Sequence, residues 1–125
     1  MQYGTFIWNE LMTPDVEAAK AFYGAVLGWT YSDMPMQEGQ YVLATAPGAA
    51  MPSAGIMHWP EGQMGGKDWF AYVSVESMDQ AIEKTLSADG QVIRAPWTIP
   101  GVGIIAIILD AAGSVIGYLQ PEPRG

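Results

Sequence analysis

The sequence predicts an α+β fold made of two tandem modules, each with the element order β-α-β-β-β. The first observation is an internal repeat with an offset of 62 residues, which aligns Ala19 with Ala81, Gly28 with Gly90 and Gly55 with Gly117. The second is that the strand-like segment 6–11 falls on the strand-like segment 68–73 at the same offset. The third is a composition of 50% hydrophobic and 14% charged residues, which indicates a compact globule.

Module one, residues 1–60, begins with a strand over 6–12 that is rich in aromatic and branched residues. Thr13 is the predicted N-cap of a helix with Pro14 in its first turn, and Gly28 is the predicted stop. Helical spacing predicts one apolar stripe made of Val16, Ala19, Phe22, Tyr23 and Val26. Three short strands between Gly- and Pro-bearing turns follow at 29–33, 40–45 and 54–59.

Residues 60–67 are the predicted linker, and module two, residues 68–125, repeats the same order. After a strand at 68–75, Ser77 is the predicted cap of a helix that stops at Gly90. Its predicted stripe is Met78, Ala81, Ile82, Thr85 and Leu86. Strands follow at 91–96, 103–109 and 114–120, with a turn at 110–113. A chain of 125 residues with two such short modules is expected to form one domain with a shared core.

The net charge of −8, with scattered bases, argues against nucleic acid and anionic membrane surfaces as partners. No apolar run has the length of a membrane helix, and no signal peptide is recognised at the amino terminus. The chain has no cysteine, so disulfides and thiolate chemistry are excluded. A cytoplasmic protein is expected.

The order of these motifs resembles the vicinal oxygen chelate superfamily, which includes glyoxalase I, extradiol dioxygenases and bleomycin-binding proteins. The resemblance covers essentially the whole chain. It is carried by WNELMTPD at 8–15, AAKAFY at 18–23, LGW at 27–29 and the DAAG turn at 110–113. Within the superfamily, the sequence is most similar to the glyoxalase-like branch, whose members mostly have no assigned reaction. The resemblance implies that the modules curl into one mixed-sheet cup, and family precedent implies a homodimer.

In that superfamily the first and last strand of each module offer one residue to a divalent metal. Carried over to this sequence, those places are Trp8, Gly55, Phe70 and Gly117. None has a side chain that donates a lone pair to a catalytic metal, so neither a metal nor another cofactor is predicted. Two glycines facing two aromatic rings are typical of a pocket for a planar or apolar small molecule. The alternative is that Trp8 and Phe70 fill the space above the glycines as ordinary core.

Strand alternation places Glu10 on the cup face, where partial burial would raise its pKa and make it a candidate acid or base. The alternative is a carboxylate at a wet rim or in a dimer contact. Met57 and Tyr72 are predicted on the same face as ligand contacts, whereas His58 has the opposite parity and is expected at the surface. The apolar run 103–109 predicts a strand covered on both sides, one cover being a candidate second subunit.

Three functions stay open from these residues. The first is metal-free binding of a small planar or apolar molecule. The second is an enzyme of the lyase, isomerase or dioxygenase type that uses Glu10 or an unrecognised metal site. The third is a closed cup that serves as a structural or partner-binding domain.

Overall fold

The computed structural model describes residues 2–34, 41–64 and 66–123. Its elements follow the order β-α-β-β-β twice, which confirms the predicted α+β class with tandem modules. They are β1 Phe6–Thr13, α1 Val16–Leu27, β2 Thr30–Met34, β3 Tyr41–Thr45, β4 Ala54–His58, β5 Asp68–Ser74, α2 Met78–Ser87, β6 Gln91–Ile99, β7 Gly103–Leu109 and β8 Val115–Pro121. The first residue of the predicted strand at 40–45 and residue 65 of the predicted linker lie outside the described residues.

The chain divides into two compact units, and the division falls inside β1, after Trp8. We call Asn9–Trp69 the N-unit. The C-unit consists of the residues up to Trp8 together with those from Phe70 onward.

In the N-unit the strand order is β2-β3-β4-β1. β1 and β4 run parallel, and the other two pairs are antiparallel. One hydrophobic core lies between this sheet and α1, because apolar side chains of both meet there. Its members are Leu11, Val16, Ala19, Val42 and Ile56, with Tyr23 and Tyr31 packed against them.

The N-cap of helix α1 lies two residues later than the sequence predicts. The N-cap is Asp15, whose side chain accepts a hydrogen bond of 3.0 Å from the Ala18 backbone N–H. Thr13, the predicted cap, is the last residue of β1, and its hydroxyl accepts instead from the Asp15 N–H. The predicted stop at Gly28 is confirmed by its left-handed conformation, with φ 73°.

The predicted apolar stripe of α1 is only partly buried. Val16 and Ala19 lie in the core, whereas Phe22 and Val26 are 59% and 60% exposed. The prediction was wrong for these two residues because the core contacts a narrower arc of the helix than its apolar residues cover. Leu86 of α2 departs from its predicted stripe in the same way and is exposed.

In the C-unit the order from β5 onward is β5-β8-β7-β6, with β5 and β8 parallel and the other two pairs antiparallel. Helix α2 packs on the sheet face that carries Tyr118 and Gln120. The hydroxyls of Thr85 and Tyr118 lie 2.7 Å apart, and the Met78 N–H donates to Gln120 Oε1 at 2.7 Å. These partly buried polar contacts hold α2 on the sheet.

Helix α2 has the predicted N-cap, since Ser77 accepts from the Gln80 N–H, but it ends earlier than predicted. Its C-cap is Ala88, and Asp89 adopts the left-handed conformation with φ 70°. Gly90 therefore does not cap the helix. A Cβ at Gly90 would lie 2.9 Å from the Leu109 carbonyl oxygen, so close backbone approach requires glycine there.

Strand β7 is buried on both faces, as its continuous apolar sequence predicts. Ile105, Ala106, Ile107 and Ile108 are each at most 3% exposed in the single chain. A second subunit is therefore not needed to cover this strand, and the homodimer stays a prediction from family precedent. Among the described residues, no helix has the length and apolar character to cross a membrane.

Candidate functional site

The internal repeat reappears as identical strand register in the two units. In the N-unit Glu10 of β1 lies opposite Gly55 of β4. In the C-unit Tyr72 of β5 lies opposite Gly117 of β8. The two pairs are related by the 62-residue offset, so each module presents one glycine beside one larger side chain from its first strand.

Two polar groups converge above Gly55. A Cβ built on this glycine would lie 2.6 Å from Tyr41 Cζ and 3.2 Å from Glu10 Oε1, and the Tyr41 hydroxyl would be closer still. Glu10 is 0% exposed and Tyr41 6% exposed. Glu10 is thus a fully buried carboxylate rather than a rim residue, and a phenol and a carboxylate share the space above this glycine.

The aromatic ring of Tyr72 covers Gly117. A Cβ on Gly117 would lie 2.8 Å from Tyr72 Cγ and even closer to the ring edge. Phe70 packs beside this ring, with centroids 5.2 Å apart and planes tilted by 51°. Each glycine therefore provides space for a neighbouring tyrosine, Tyr41 or Tyr72, whereas the alternative predicted from the sequence had Trp8 and Phe70 in this filling role.

The predicted ligand contacts separate into two groups. Glu10, Gly55 and Met57 lie in the N-unit, where Gly55 and Met57 are alternate residues of β4. Phe70, Tyr72 and Gly117 lie together in the C-unit, and Trp8 belongs to that unit as a half-buried residue of β1. His58 is exposed at the end of β4, as predicted.

The residues present do not fit the divalent metal of the metal-dependent superfamily members. Within the described residues, no group of three or more His, Cys, Asp or Glu side chains could hold a metal ion. The four carried-over places hold two aromatic residues and two glycines, and Glu10 supplies a single carboxylate. Catalytic zinc and iron sites normally need three protein ligands.

Sequence reasoning missed a cation–aromatic pair at the edge of the C-unit sheet. The Arg94 guanidinium carbon lies 3.7 Å from the centroid of the Trp97 ring. Both residues belong to β6 and both are half-buried. The predicted strand ends at Pro96, but β6 continues to Ile99. Arg94 and Trp97 were therefore not placed in one element.

Strand register places this pair on the same sheet face as Gly117. Arg94 lies opposite Ile107, and Ile107 lies opposite Gly117, which in turn lies opposite Tyr72. Directly opposed residues point to the same side of a sheet. We call this side the Gly117 face. Tyr118 has the opposite parity, so α2 packs on the other side of the sheet.

A second aromatic cluster lies in the N-unit. Tyr23 stacks on Trp29 with centroids 5.2 Å apart, and the Trp69 indole N–H donates to the Tyr23 hydroxyl at 2.8 Å. The pKa of Tyr31 is raised, mainly by burial of its hydroxyl and to a smaller extent by the neighbouring Tyr23. These residues lie near α1, since Tyr31 donates to the Lys20 carbonyl and Tyr23 is part of the helix.

Comparison with known proteins is consistent with this architecture. A family model described as Bleomycin resistance protein-like N-terminal matches residues 5–45. A Mycobacterium tuberculosis protein named "Putative glyoxylase CFP32" is 39% identical over 123 residues, covering 97% of this chain and 46% of the relative. The Anthracycline biosynthesis protein DnrV of Streptomyces peucetius is 30% identical over 125 residues, covering 89% of this chain and 45% of the relative. The chain thus spans about half the length of the curated relatives it matches.

Among solved structures, methylmalonyl-CoA epimerase from Mycobacterium tuberculosis superimposes with a TM-score of 0.62 at 18% identity. The match covers 97% of this chain and 90% of the epimerase. At that identity the similarity concerns the fold alone. Together with the repeated β-α-β-β-β order and the matching register, these findings show that the chain belongs to the vicinal oxygen chelate superfamily of glyoxalases, bleomycin resistance proteins and dioxygenases.

Proposed function

We propose that this chain binds a small planar, largely apolar molecule without using a metal ion. The observation that carries the proposal is the replacement of donor side chains by an aromatic surface on the Gly117 face. At Gly117, where metal-dependent relatives offer a ligand, the ring of Tyr72 occupies the space, with Phe70 beside it. Flat aromatic and aliphatic walls favour planar apolar ligands.

The accessible part of this face lies at the edge strand β6. Tyr72, Ile105 and Ile107 are almost fully buried, whereas Arg94 and Trp97 are half-buried. A ligand that rests on the Trp97 indole would therefore extend the buried apolar face without first displacing its core.

The names of a matched family model and of one relative support a small-molecule ligand, which in the second case is planar. The family model takes its name from bleomycin resistance, and one relative is named for anthracycline biosynthesis. Anthracyclines contain a flat fused-ring system, which is the shape that an aromatic surface recognises by stacking.

Isothermal titration calorimetry with anthraquinone-2-carboxamide, a neutral planar probe, tests the proposal. We expect saturable binding with the same affinity in the presence and absence of excess EDTA. The Trp97→Ala variant should bind the probe about tenfold more weakly. Trp69→Phe, which changes an indole of the N-unit, is the matched control and should bind as the parent does. Failure of the probe to bind, or affinity that disappears with EDTA and returns with a divalent cation, would overturn the proposal.

The second candidate function is proton transfer by Glu10. The observation that favours it is the complete burial of this carboxylate next to the Tyr41 hydroxyl above Gly55. A buried carboxyl with a neighbouring hydroxyl can accept a proton from a substrate carbon, because desolvation makes its carboxylate a stronger base.

An exchange experiment separates this candidate from simple binding. The protein is incubated with methylmalonyl-CoA in D2O, and the loss of the proton next to the thioester carbonyl is followed by NMR. Catalysed exchange that Glu10→Gln abolishes would support proton transfer, with Glu17→Gln as the control for an exposed carboxylate. Exchange at the uncatalysed rate would rule it out for this substrate class.

A further inference from the structure

We propose that the exposed apolar surface of helix α1 is where a second copy of this chain docks. We call this surface the α1 face; it consists of the exposed residues Ala18, Ala21, Phe22, Ala25 and Val26 of the helix, together with Trp69. The inference does not depend on the proposed function, since the α1 face lies in the N-unit and the Gly117 face lies in the C-unit. It gives the homodimer expected from family precedent a specific interface.

The first argument is the size and continuity of this apolar surface. Phe22 and Val26, one helical turn apart, are 59% and 60% exposed, and Trp69 is 38% exposed. Ring contacts join Phe22 to Tyr23 and Tyr23 to Trp69, with centroids 5.1 Å and 5.5 Å apart. The exposed parts of the α1 face amount to roughly 400 Å² per chain, which is in the range of the functional patches on single chains.

The second argument is that polar donors beside this surface already have acceptors within the chain. The Trp69 indole N–H donates to the Tyr23 hydroxyl at 2.8 Å, and the Tyr31 hydroxyl donates to the Lys20 carbonyl at 2.9 Å. Covering these residues with a partner therefore leaves neither donor unsatisfied. The stack of Tyr23 on Trp29 also holds the rings in place, so docking costs little side-chain freedom.

The third argument is the charge around the α1 face, which favours a second copy as the occupant. The chain has a net charge of −8, so two copies repel each other when charged parts of their surfaces approach. Segment 16–31 contains one acid and one base, Glu17 and Lys20, and their charged atoms lie 3.6 Å apart. Because this helix is locally neutral, another copy can approach it without that repulsion, whereas a strongly basic partner would find no excess of acidic groups there.

The fourth argument is the fit of the α1 face to itself. Ala18, Ala21, Phe22 and Ala25 have the spacing i, i+3, i+4 and i+7, which forms a hole for a side chain of a facing helix. Three of these four residues are alanines, so two α1 helices can approach closely. In an antiparallel pair with a two-fold axis beside Phe22, each Phe22 enters the hole of the other copy and Ala18 lies near the partner's Val26. Small side chains thus meet large ones along the interface.

The size of the α1 face also sets the expected strength of the dimer. Two such faces would bury roughly 800 Å² of apolar surface, and interfaces are about 57–65% apolar, so the total buried area would be on the order of 1,300 Å². That area is at the lower end of the range for specific complexes. We therefore expect a reversible dimer with a micromolar Kd.

Sedimentation equilibrium over about 1–100 µM protein tests the proposal. The mass of the parent should rise from the 13.5 kDa of one chain toward twice that value. Phe22→Glu should weaken association at least about tenfold, because two carboxylates would be buried side by side in the dimer. The matched control is Leu86→Glu, which adds the same charge at a residue of α2 that is 57% exposed and lies outside the α1 face. This control should associate as the parent does.

Cross-linking locates the interface independently of affinity. The chain has no cysteine, so a single introduced thiol reports on one position. Ala21→Cys, beside the proposed two-fold axis, should form a disulfide-linked dimer under mild oxidation much faster than Leu86→Cys. The urea midpoint of each variant verifies that it is folded.

Three results would overturn the proposal. The first is a parent mass of 13.5 kDa over the whole concentration range, whichever other partner then covers the α1 face. The second is association that Phe22→Glu weakens no more than Leu86→Glu does, because the dimer would then form elsewhere. The third is equally fast cross-linking of Ala21→Cys and Leu86→Cys. None of these results concerns probe binding, so the proposed function stands or fails separately.

Discussion

Replacing Gly117 with alanine should destabilise the protein by about 2 kcal/mol, although alanine is the better residue for an ordinary strand. The added Cβ would lie 2.8 Å from Tyr72 Cγ and closer to two further ring carbons. Cγ lies on the χ2 axis, so turning the ring about χ2 cannot clear the clash, and a χ1 rotation would drive the whole ring into the packed core. Tyr72 is only 1% exposed and packs against Phe70, so the ring has no empty space to enter.

The magnitude follows from two opposed terms. Overpacking a well-packed core costs about 1–3 kcal/mol, and this site belongs at the upper end because the clash involves a rigid ring. Removing a glycine from a strand interior returns about 0.5–1 kcal/mol through the entropy of the unfolded chain. The net loss of about 2 kcal/mol corresponds to a fall in Tm of roughly 5–10 °C for a domain of this size.

Urea denaturation followed by tryptophan fluorescence measures the effect, with Gly24→Ala as the matched control. At Gly24 a Cβ would meet its nearest neighbours at 3.8 Å, an ordinary contact, and the residue lies inside α1. That substitution should stabilise the protein by about 0.5–1 kcal/mol.

A double-mutant cycle with Tyr72→Ala then isolates the clash. In that background the ring is gone, so Gly117→Ala should cost little or stabilise. Equal destabilisation by Gly117→Ala in both backgrounds, or no destabilisation in the parent, would refute the reasoning that Tyr72 occupies the space above Gly117.

Three further predictions concern other parts of the chain. Gly55→Ala should also lower the urea midpoint, and Tyr41→Phe should relieve part of that loss because the hydroxyl is the nearest atom; an unrelieved loss would contradict the geometry. The backbone N–H groups of Ser114 and Ala112 donate to the Asp110 carboxylate and lower its pKa. The carboxylate therefore stabilises the fold at pH values above the unfolded-state pKa of about 3.9, and this stabilisation is lost as the pH falls through the lower folded-state pKa. Asp110→Ala should therefore differ from the parent in urea midpoint at pH 7 and converge with it near pH 2, whereas Asp110→Asn, which keeps an acceptor, should differ less at pH 7. Sedimentation equilibrium should give twice the 13.5 kDa chain mass if the homodimer forms, and a mass of 13.5 kDa at micromolar concentration would exclude it.

The sequence predicted helix ends correctly where a single residue decides where the helix starts or stops. Ser77 caps α2 and Gly28 ends α1 as predicted, because a hydroxyl acceptor and a left-handed glycine satisfy helix ends locally. The cap of α1 was predicted two residues too early, since Thr13 and Asp15 are both good caps. Their assignment depends on how far β1 extends, and strand pairing with β4 carries β1 to Thr13.

The candidate site could be predicted only in part. The family resemblance, supported by the repeat, located Gly55 and Gly117, and strand alternation placed Glu10 on the cup face. Neither could identify Tyr41 and Tyr72 as the side chains that cover the glycines, because that depends on the steric fit between paired strands, β3 with β4 and β5 with β8. The Arg94–Trp97 pair was missed because a β-bulge changes the alternation on which sequence interpretation relies.

The amino-acid sequence by itself determined the class of the fold, the two modules, the helix ends set by single residues and the lack of metal-ligating side chains at the superfamily positions. These properties depend on local backbone preferences and on residue chemistry, both of which can be recognised along the chain. Only the tertiary structure decided which rings cover the glycines, which apolar helix residues stay exposed and which side chains the β6 irregularities bring together. Those outcomes depend on steric fit between strands that are remote in sequence, and no periodicity within one segment encodes that fit.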